Sequence, residues 1–219
     1  MRKQKDKGTV LCVCAHSDDQ IFGPGGTLAK YAKEGKKIIT IILSYGEGSH
    51  PHFKEDVIIK IRVEEAAEAD KVIGGSGVIF LGMKEGRFKN EAEQKYIIPR
   101  LATLFKQYNP EKIFTHAIDD PHLDHQAVYK ITSNAVKSMN YKGDVYSFEV
   151  WNPLNLMKRN LPKMYVDISK TFPLKIKALQ CFQSQKMFIL MLLPAVYSRA
   201  ITAGLNANCR FAEVFYKIK

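Results

Sequence analysis

Short apolar runs rich in β-branched residues alternate with stretches of helical period along most of the chain, and this alternation limits the fold more than any other feature. Residues 9–15 (TVLCVCA), 38–44 (IITIILS), 77–81 (GVIFL) and 112–117 (KIFTHA) read as buried strands. Between the first two, GGTLAKYAKEGKK places Leu28, Ala29 and Ala32 at helical spacing and stops at Gly35. A longer helix over 56–73 carries Ile58, Ile61, Val63, Ala66 and Ala69 and ends at Gly74-Gly75. A helix around 92–107 leads to Pro110, HLDHQAVYKITSNAVKSM is helical, and DVYSFEV and KMYVDI are further strands. The order predicts an α/β fold of three layers, α/β/α, around a mostly parallel sheet. No linker or internal repeat divides residues 1–219, so one domain is expected. In such sheets ligands sit beyond the carboxyl ends of the strands. HSDD follows the first strand there, and DDPHLDH follows the fourth.

The charge excludes less than it suggests. Lys and Arg number 33 against 22 Asp and Glu, a net charge of +11, but only seven of the 33 are Arg. Lys lacks the planar fork that reads phosphates and base edges, so the excess predicts a solvated surface and no nucleic-acid partner. The four cysteines make no CxxC or Cys/His spacing, and Cys12 and Cys14 share a strand face, so reduced thiols in a cytoplasmic protein are expected. The start of the chain is not a signal peptide. The longest apolar run, Met187 to Val196, contains Pro194 and is about half the length of a membrane span, so no transmembrane segment is expected.

Two clusters carry chemistry. In the first, His16, Asp18 and Asp19 lie within four residues directly after an apolar strand. A turn there can aim His16 and Asp19 at one point, and zinc accepts imidazole and carboxylate together while leaving a position open for water. The same residues can instead cap a helix. In the second, His122 and His125 fall on one face at i and i+3 as a helix opens. Asp124 can hold an imidazole in one tautomer, or simply complement the helix dipole.

AHSDD, GPGGTLAKYAKEG and DPHLDH together resemble the PIG-L/LmbE-like family of de-N-acetylases, with the signatures Ala-His-Pro-Asp-Asp-Glu and His-x-Asp-His. Gly46-Glu47-Gly48, Arg62, Glu65, Pro110-Glu111, Ser184-Gln185 and Ala212 to Phe215 extend the likeness from about residue 9 to 216. The resemblance implies a Rossmann-like fold and removal of an N-acetyl group from an N-acetylglucosamine-type sugar or conjugate. It implies Zn2+ held by His16, Asp19 and His125, with Asp18 as general base. It also implies that His122, as a cation tuned by Asp124, stabilises the oxyanion or protonates the leaving amine. Glu47, Arg62 and Asp120 are implied substrate contacts. A homo-oligomer, trimer or hexamer, is expected with the Met187–Val196 run at its contact, that run lying past the last sheet element.

This chain departs from the pattern at Ser17, where the family has Pro, and at Gln20, where it has Glu. If the lost charge limits turnover, Gln20→Glu should raise the rate. Gln20 also motivates an alternative from another class, a metal-binding sugar-recognition protein of the same fold with little or no turnover. A dinucleotide oxidoreductase is the poorest of the three readings, since it leaves HSDD and HLDH unexplained and Gly23, Gly25 and Gly26 lack the GxGxxG spacing. His116 inside its strand reads as a core histidine. Trp151 reads as core or a sugar-stacking wall, and His50 and His52 as loop residues.

Overall fold

A computed structural model describes residues 7–49, 54–151 and 160–219; His50 and His52 lie outside them. Seven strands form one sheet in the order β3-β2-β1-β4-β5-β7-β6. They are β1 (Thr9–Cys14), β2 (Lys37–Ser44), β3 (Val78–Met83), β4 (Lys112–His116), β5 (Asp144–Phe148), β6 (Lys163–Asp167) and β7 (Ala212–Lys217). The helices are α1 (Asp19–Phe22), α2 (Gly25–Lys33), α3 (Glu55–Ile73), α4 (Glu91–Tyr108), α5 (Leu123–Ser138), α6 (Phe172–Leu179) and α7 (Lys186–Asn206). The first five strands of that order pair in parallel, and β7 runs antiparallel to both β5 and β6.

The strand period of two sorts the core. Along β1, Val10, Cys12 and Cys14 enter one apolar cluster, while Leu11 and Val13 enter the other. The first cluster is completed by α2, α3, α6 and α7 and the second by α4 and α5, giving the expected three layers. With helices on both faces, all six residues of β1 are buried, and the strand therefore reads as a continuous apolar run. The chain winds outward from β1 through β2 to β3, then returns to β4 on the other side. The switch point, where a crevice opens, is thus between the carboxyl ends of β1 and β4.

The last quarter of the chain corrects the sequence reading. The apolar run does not lie past the last sheet element, because β7 follows it and inserts between β5 and β6. Nor is it confined to ten residues. Residues Gln183–Asn206 form a 24-residue helical segment containing an 18-residue stretch of mean hydropathy 1.6, long and apolar enough by length and composition to cross a membrane. Ile189, Val196, Ala200 and Ala203 of α7 are buried in the fold, while Met187, Phe188, Leu190 and Met191 are exposed.

Helix α3 ends on Gly74, whose φ of +77° is the left-handed turn that glycine adopts freely. Just before it Asp70 is buried, and Oδ1 of its carboxylate has no hydrogen-bond partner. Burial raises Asp70 to about 6, against the opposing hydrogen bond from the Gly77 backbone. A carboxyl with a folded pKa above its unfolded value binds its proton more tightly when folded. The charged form therefore destabilises the fold progressively as pH rises from about 4 through 6. Asp70→Asn is expected to raise unfolding stability by about 1–2 kcal/mol at pH 7.5, after discounting for residual solvation, and by nothing at pH 4. Denaturant titrations at the two pH values check this.

Candidate metal centre

Four histidines and five carboxylates converge at the switch point. The turn after β1 delivers His16, Asp18 and Asp19. The end of β4 supplies His116, and the loop opening α5 supplies Asp120, His122, Asp124 and His125. Glu85 arrives from the loop after β3. The first turn is closed by its own residues. The His16 N–H donates to Asp19 Oδ2 at 2.8 Å, and Gln20 Nε2 donates to the Ser17 carbonyl at 2.7 Å. Asp18 occupies the N-cap position of α1 but makes no side-chain capping hydrogen bond, so capping does not account for this cluster.

Asp19 is the hub. Its Oδ1 lies 3.3 Å from His125 Nε2, and its Oδ2 lies 3.4 Å from His16 Nδ1 and 3.2 Å from His116 Nε2. His125 is fully buried, and its other ring nitrogen, Nδ1, is 3.0 Å from Asp120 Oδ1. That contact fixes the ring and leaves Nε2 for something else. His16 Nε2 faces Asp124 Oδ2 at 3.5 Å and Glu85 Oε1 at 3.7 Å. Burial works to lower the pKa of both imidazoles, yet the surrounding carboxylates outweigh it, raising His16 to about 10 and His125 to about 9. The field here favours positive charge, as protons or as a metal ion.

The donor set fits a divalent metal. His16 Nε2 and His125 Nε2 are buried without a hydrogen-bond partner. Ligand atoms from His16, Asp19 and His125 lie within 4.8 Å of one another, close to the span that bonds of about 2.0–2.2 Å to a common ion require. Two overlapping groups, His16/His122/Asp124 and His116/Asp120/His125, meet the same distance limit, and several of their atoms also bond within the protein. His122 Nδ1 accepts the Asp124 N–H at 3.2 Å, Asp124 Oδ2 accepts the Gly86 N–H at 2.9 Å, and His116 Nε2 accepts the Ala15 N–H at 3.1 Å. Asp120 spends its oxygens on the N–H groups of His122, Val150 and Trp151.

Several roles expected from the sequence change. Asp120 is wholly buried, so it holds His125 rather than touching substrate. Glu47 accepts from the Ser44 hydroxyl and the Glu85 N–H, bracing the loop that brings Glu85 in, and is likewise committed to the protein. The Asp124 carboxylate lies 3.5 Å from His16 Nε2 and forms one cluster with the His16 and His122 rings. The Asp124 backbone N–H also reaches His122, where it takes the Nδ1 lone pair and leaves the proton of the neutral ring on Nε2. Burial, then the charges of His125 and His16, lower the His122 pKa. Arg62 is 2% exposed, with Nη2 4.0 Å from Asp18 Oδ1, while its Nε and Nη1 lack hydrogen-bond partners. Burial raises the Asp18 pKa, and Arg62 opposes that rise. Trp151 is half-buried, packed on the core with its ring centroid 6.5 Å from that of His122.

His116 and Glu85 were missed by motif reading. Each stands at or just past the carboxyl end of a parallel strand, and that position was the available signal. His116 stacks on His125 at 3.8 Å between ring centroids, and burial lowers its pKa to about 4, so it is a neutral wall of the site.

Gln20 is 1% exposed, and besides the Ser17 carbonyl it meets the Cys14 thiol at 3.8 Å. This reverses the expectation for Gln20→Glu. A carboxylate cannot donate to Ser17 and would set oxygen against oxygen in a buried turn. The substitution is expected to lower stability by about 1–3 kcal/mol and to slow turnover rather than raise it. Thermal unfolding and a rate measurement on the same preparation decide the sign.

Comparison with known proteins places these features in context. The family model described as GlcNAc-PI de-N-acetylase (PIG-L) matches residues 11–136. A 4-oxalmesaconate hydratase of Pseudomonas putida is 27% identical over 208 residues, covering 84% of this chain and 78% of that protein. A 1D-myo-inositol 2-acetamido-2-deoxy-α-D-glucopyranoside deacetylase of Saccharomonospora viridis is 28% identical over 158 residues, 58% of each chain. The solved N,N'-diacetylchitobiose deacetylase from Pyrococcus horikoshii superposes with a TM-score of 0.82 at 20% identity, over 98% of this chain and 85% of that one.

Proposed function

This chain belongs to the PIG-L family of de-N-acetylases, and from that premise we propose that it is a zinc-dependent hydrolase removing the acetyl group from an N-acetylglucosamine-type sugar or conjugate. The observation that carries this reading is the set of buried donors on His16, Asp19 and His125 with the uncapped Asp18 carboxylate beside them. Bound zinc lowers the pKa of water to about 7 and polarises a carbonyl oxygen. Asp18 takes a proton from the attacking water, and Arg62 holds that carboxylate in place from α3. His122 presents its Nε2–H to the charge that develops on the acetyl oxygen or to the departing nitrogen. The proton removed by Asp18 passes to the leaving amine, so the products are acetate and a free amino sugar. Asp120 keeps His125 oriented through the ring nitrogen that faces away from Asp19. The test is acetate release from a panel of N-acetylglucosamine conjugates, with zinc quantified in the same sample. Absence of both acetate and zinc would overturn the reading.

A second reading is favoured by the 27% identity to a hydratase over most of both chains. Adding water to a carbon–carbon double bond also needs an activated water and a base, so the same side chains would serve. The two differ in product. A hydratase would bleach the ultraviolet absorbance of a conjugated unsaturated carboxylate and release no acetate.

For assembly, a homo-oligomer, trimer or hexamer, remains our proposal, with the exposed Met187, Phe188, Leu190 and Met191 of α7 at the contact. Light scattering should give a multiple of the 24.9 kDa chain mass. Leu190→Glu should reduce that mass to a single chain.

A further inference from the structure

The buried pair Lys175–Glu213 lies on neither metal-binding motif, yet beyond their mutual bond both side chains hydrogen-bond to the segment that follows HSDD. Lys175, on α6, is 4% exposed, and Glu213, on β7, is 7% exposed. Lys175 Nζ donates to the carbonyls of Phe22 and Gly23 at 2.9 and 2.8 Å and to Glu213 Oε1 at 2.7 Å. Glu213 in turn accepts the Gly26 N–H on Oε1 at 2.9 Å and the Thr27 N–H on Oε2 at 2.7 Å. The Thr171 hydroxyl adds a bond to the Gly26 carbonyl at 2.8 Å.

These groups answer one need. Helix α1 is a single turn beginning at Asp19, and α2 starts after the break at Gly23-Pro24. A one-turn helix cannot hold its own direction, and its last carbonyls lack intrahelical partners, as do the first N–H groups of α2. A cation belongs at the carbonyl end and a carboxylate at the N–H end, and the pair supplies each where it is needed. The joint is tight as well, since a Cβ on Gly23 would lie 2.3 Å from the Phe148 ring. From the anchored Phe22 carbonyl to Asp19 is three residues, about 4.5 Å of helix, so tilting α1 displaces Asp19 directly.

We propose that Lys175 and Glu213 form a positioning clamp that fixes the α1–α2 joint and thereby the aim of Asp19 toward His125. A buried ion pair is weak evidence for stability, because its desolvation offsets its attraction. Its value here is geometric. The inference rests on the hydrolase reading for its consequence, weaker metal binding, but not for its structural content.

The test is the double variant Lys175→Met with Glu213→Gln, which removes both charges and keeps the volume. It is expected to stay folded, with faster amide exchange confined to residues 19–27 and a 10–100-fold weaker affinity for zinc in chelator competition, the usual range for a partner that orients a ligand. Glu213→Asp keeps the charge but shortens the reach; should the double variant not fold, it should show the same local exchange to a smaller degree. Unchanged exchange at residues 19–27 in a folded variant overturns the clamp. A parent protein that binds no zinc would overturn the hydrolase reading instead, and the exchange measurement would still decide the clamp.

Discussion

Asp18→Asn is expected to keep its full zinc content while losing activity by about two to four orders of magnitude, the usual worth of a positioned general base. The substitution preserves shape and removes only the ability to accept a proton. It touches no hydrogen bond that shapes the turn, because the Asp18 side chain caps nothing, and the closure of the turn runs through Asp19 and Gln20. The neighbouring Arg62 guanidinium, 4.0 Å away, loses an ionic partner but remains within α3. Activity equal to the parent would remove Asp18 as the base. Glu85 and Asp124 are then the remaining carboxylates, and both face His16. Metal analysis on the same preparation separates a lost base from a lost metal.

The parts of this molecule that sequence reveals are those written in adjacent residues. The strand β1 is legible because burial on both faces demands six consecutive residues without charge. The candidate metal ligands are legible because two turns at one sheet edge each gather their polar groups within a few positions. Helix α7 was legible only as an apolar run, since it carries large apolar residues on its exposed side as well as its buried one, and Pro194 interrupts its period. No local signal announces that β7 inserts between β5 and β6, because the antiparallel pairing joins residues such as Val166 and Glu213, far apart in the chain. The same holds around the metal centre. Glu85, His116, Lys175 and Glu213 each come alone from a separate segment, so no spacing links them. Gln20 was legible as a departure from a pattern, but the sign of its effect depended on the Ser17 carbonyl it faces.

His125→Ala should abolish both zinc binding and activity, a larger and less selective effect than that at Asp18. Removing the imidazole leaves two protein ligands where catalytic zinc requires three. It also strips Asp120 of the ring it faces at 3.0 Å and Asp19 of its contact at 3.3 Å, leaving two buried carboxylates closer to uncompensated charge. Some loss of thermal stability therefore accompanies the loss of metal. Asp120→Asn provides the graded comparison. It retains all three ligands and disturbs only the orientation of His125, so a 10–100-fold loss of zinc affinity is expected instead of abolition. Stoichiometric zinc in folded His125→Ala would show that the ion is held elsewhere, and the His16/His122/Asp124 group, which does not contain His125, would then carry the ligand set.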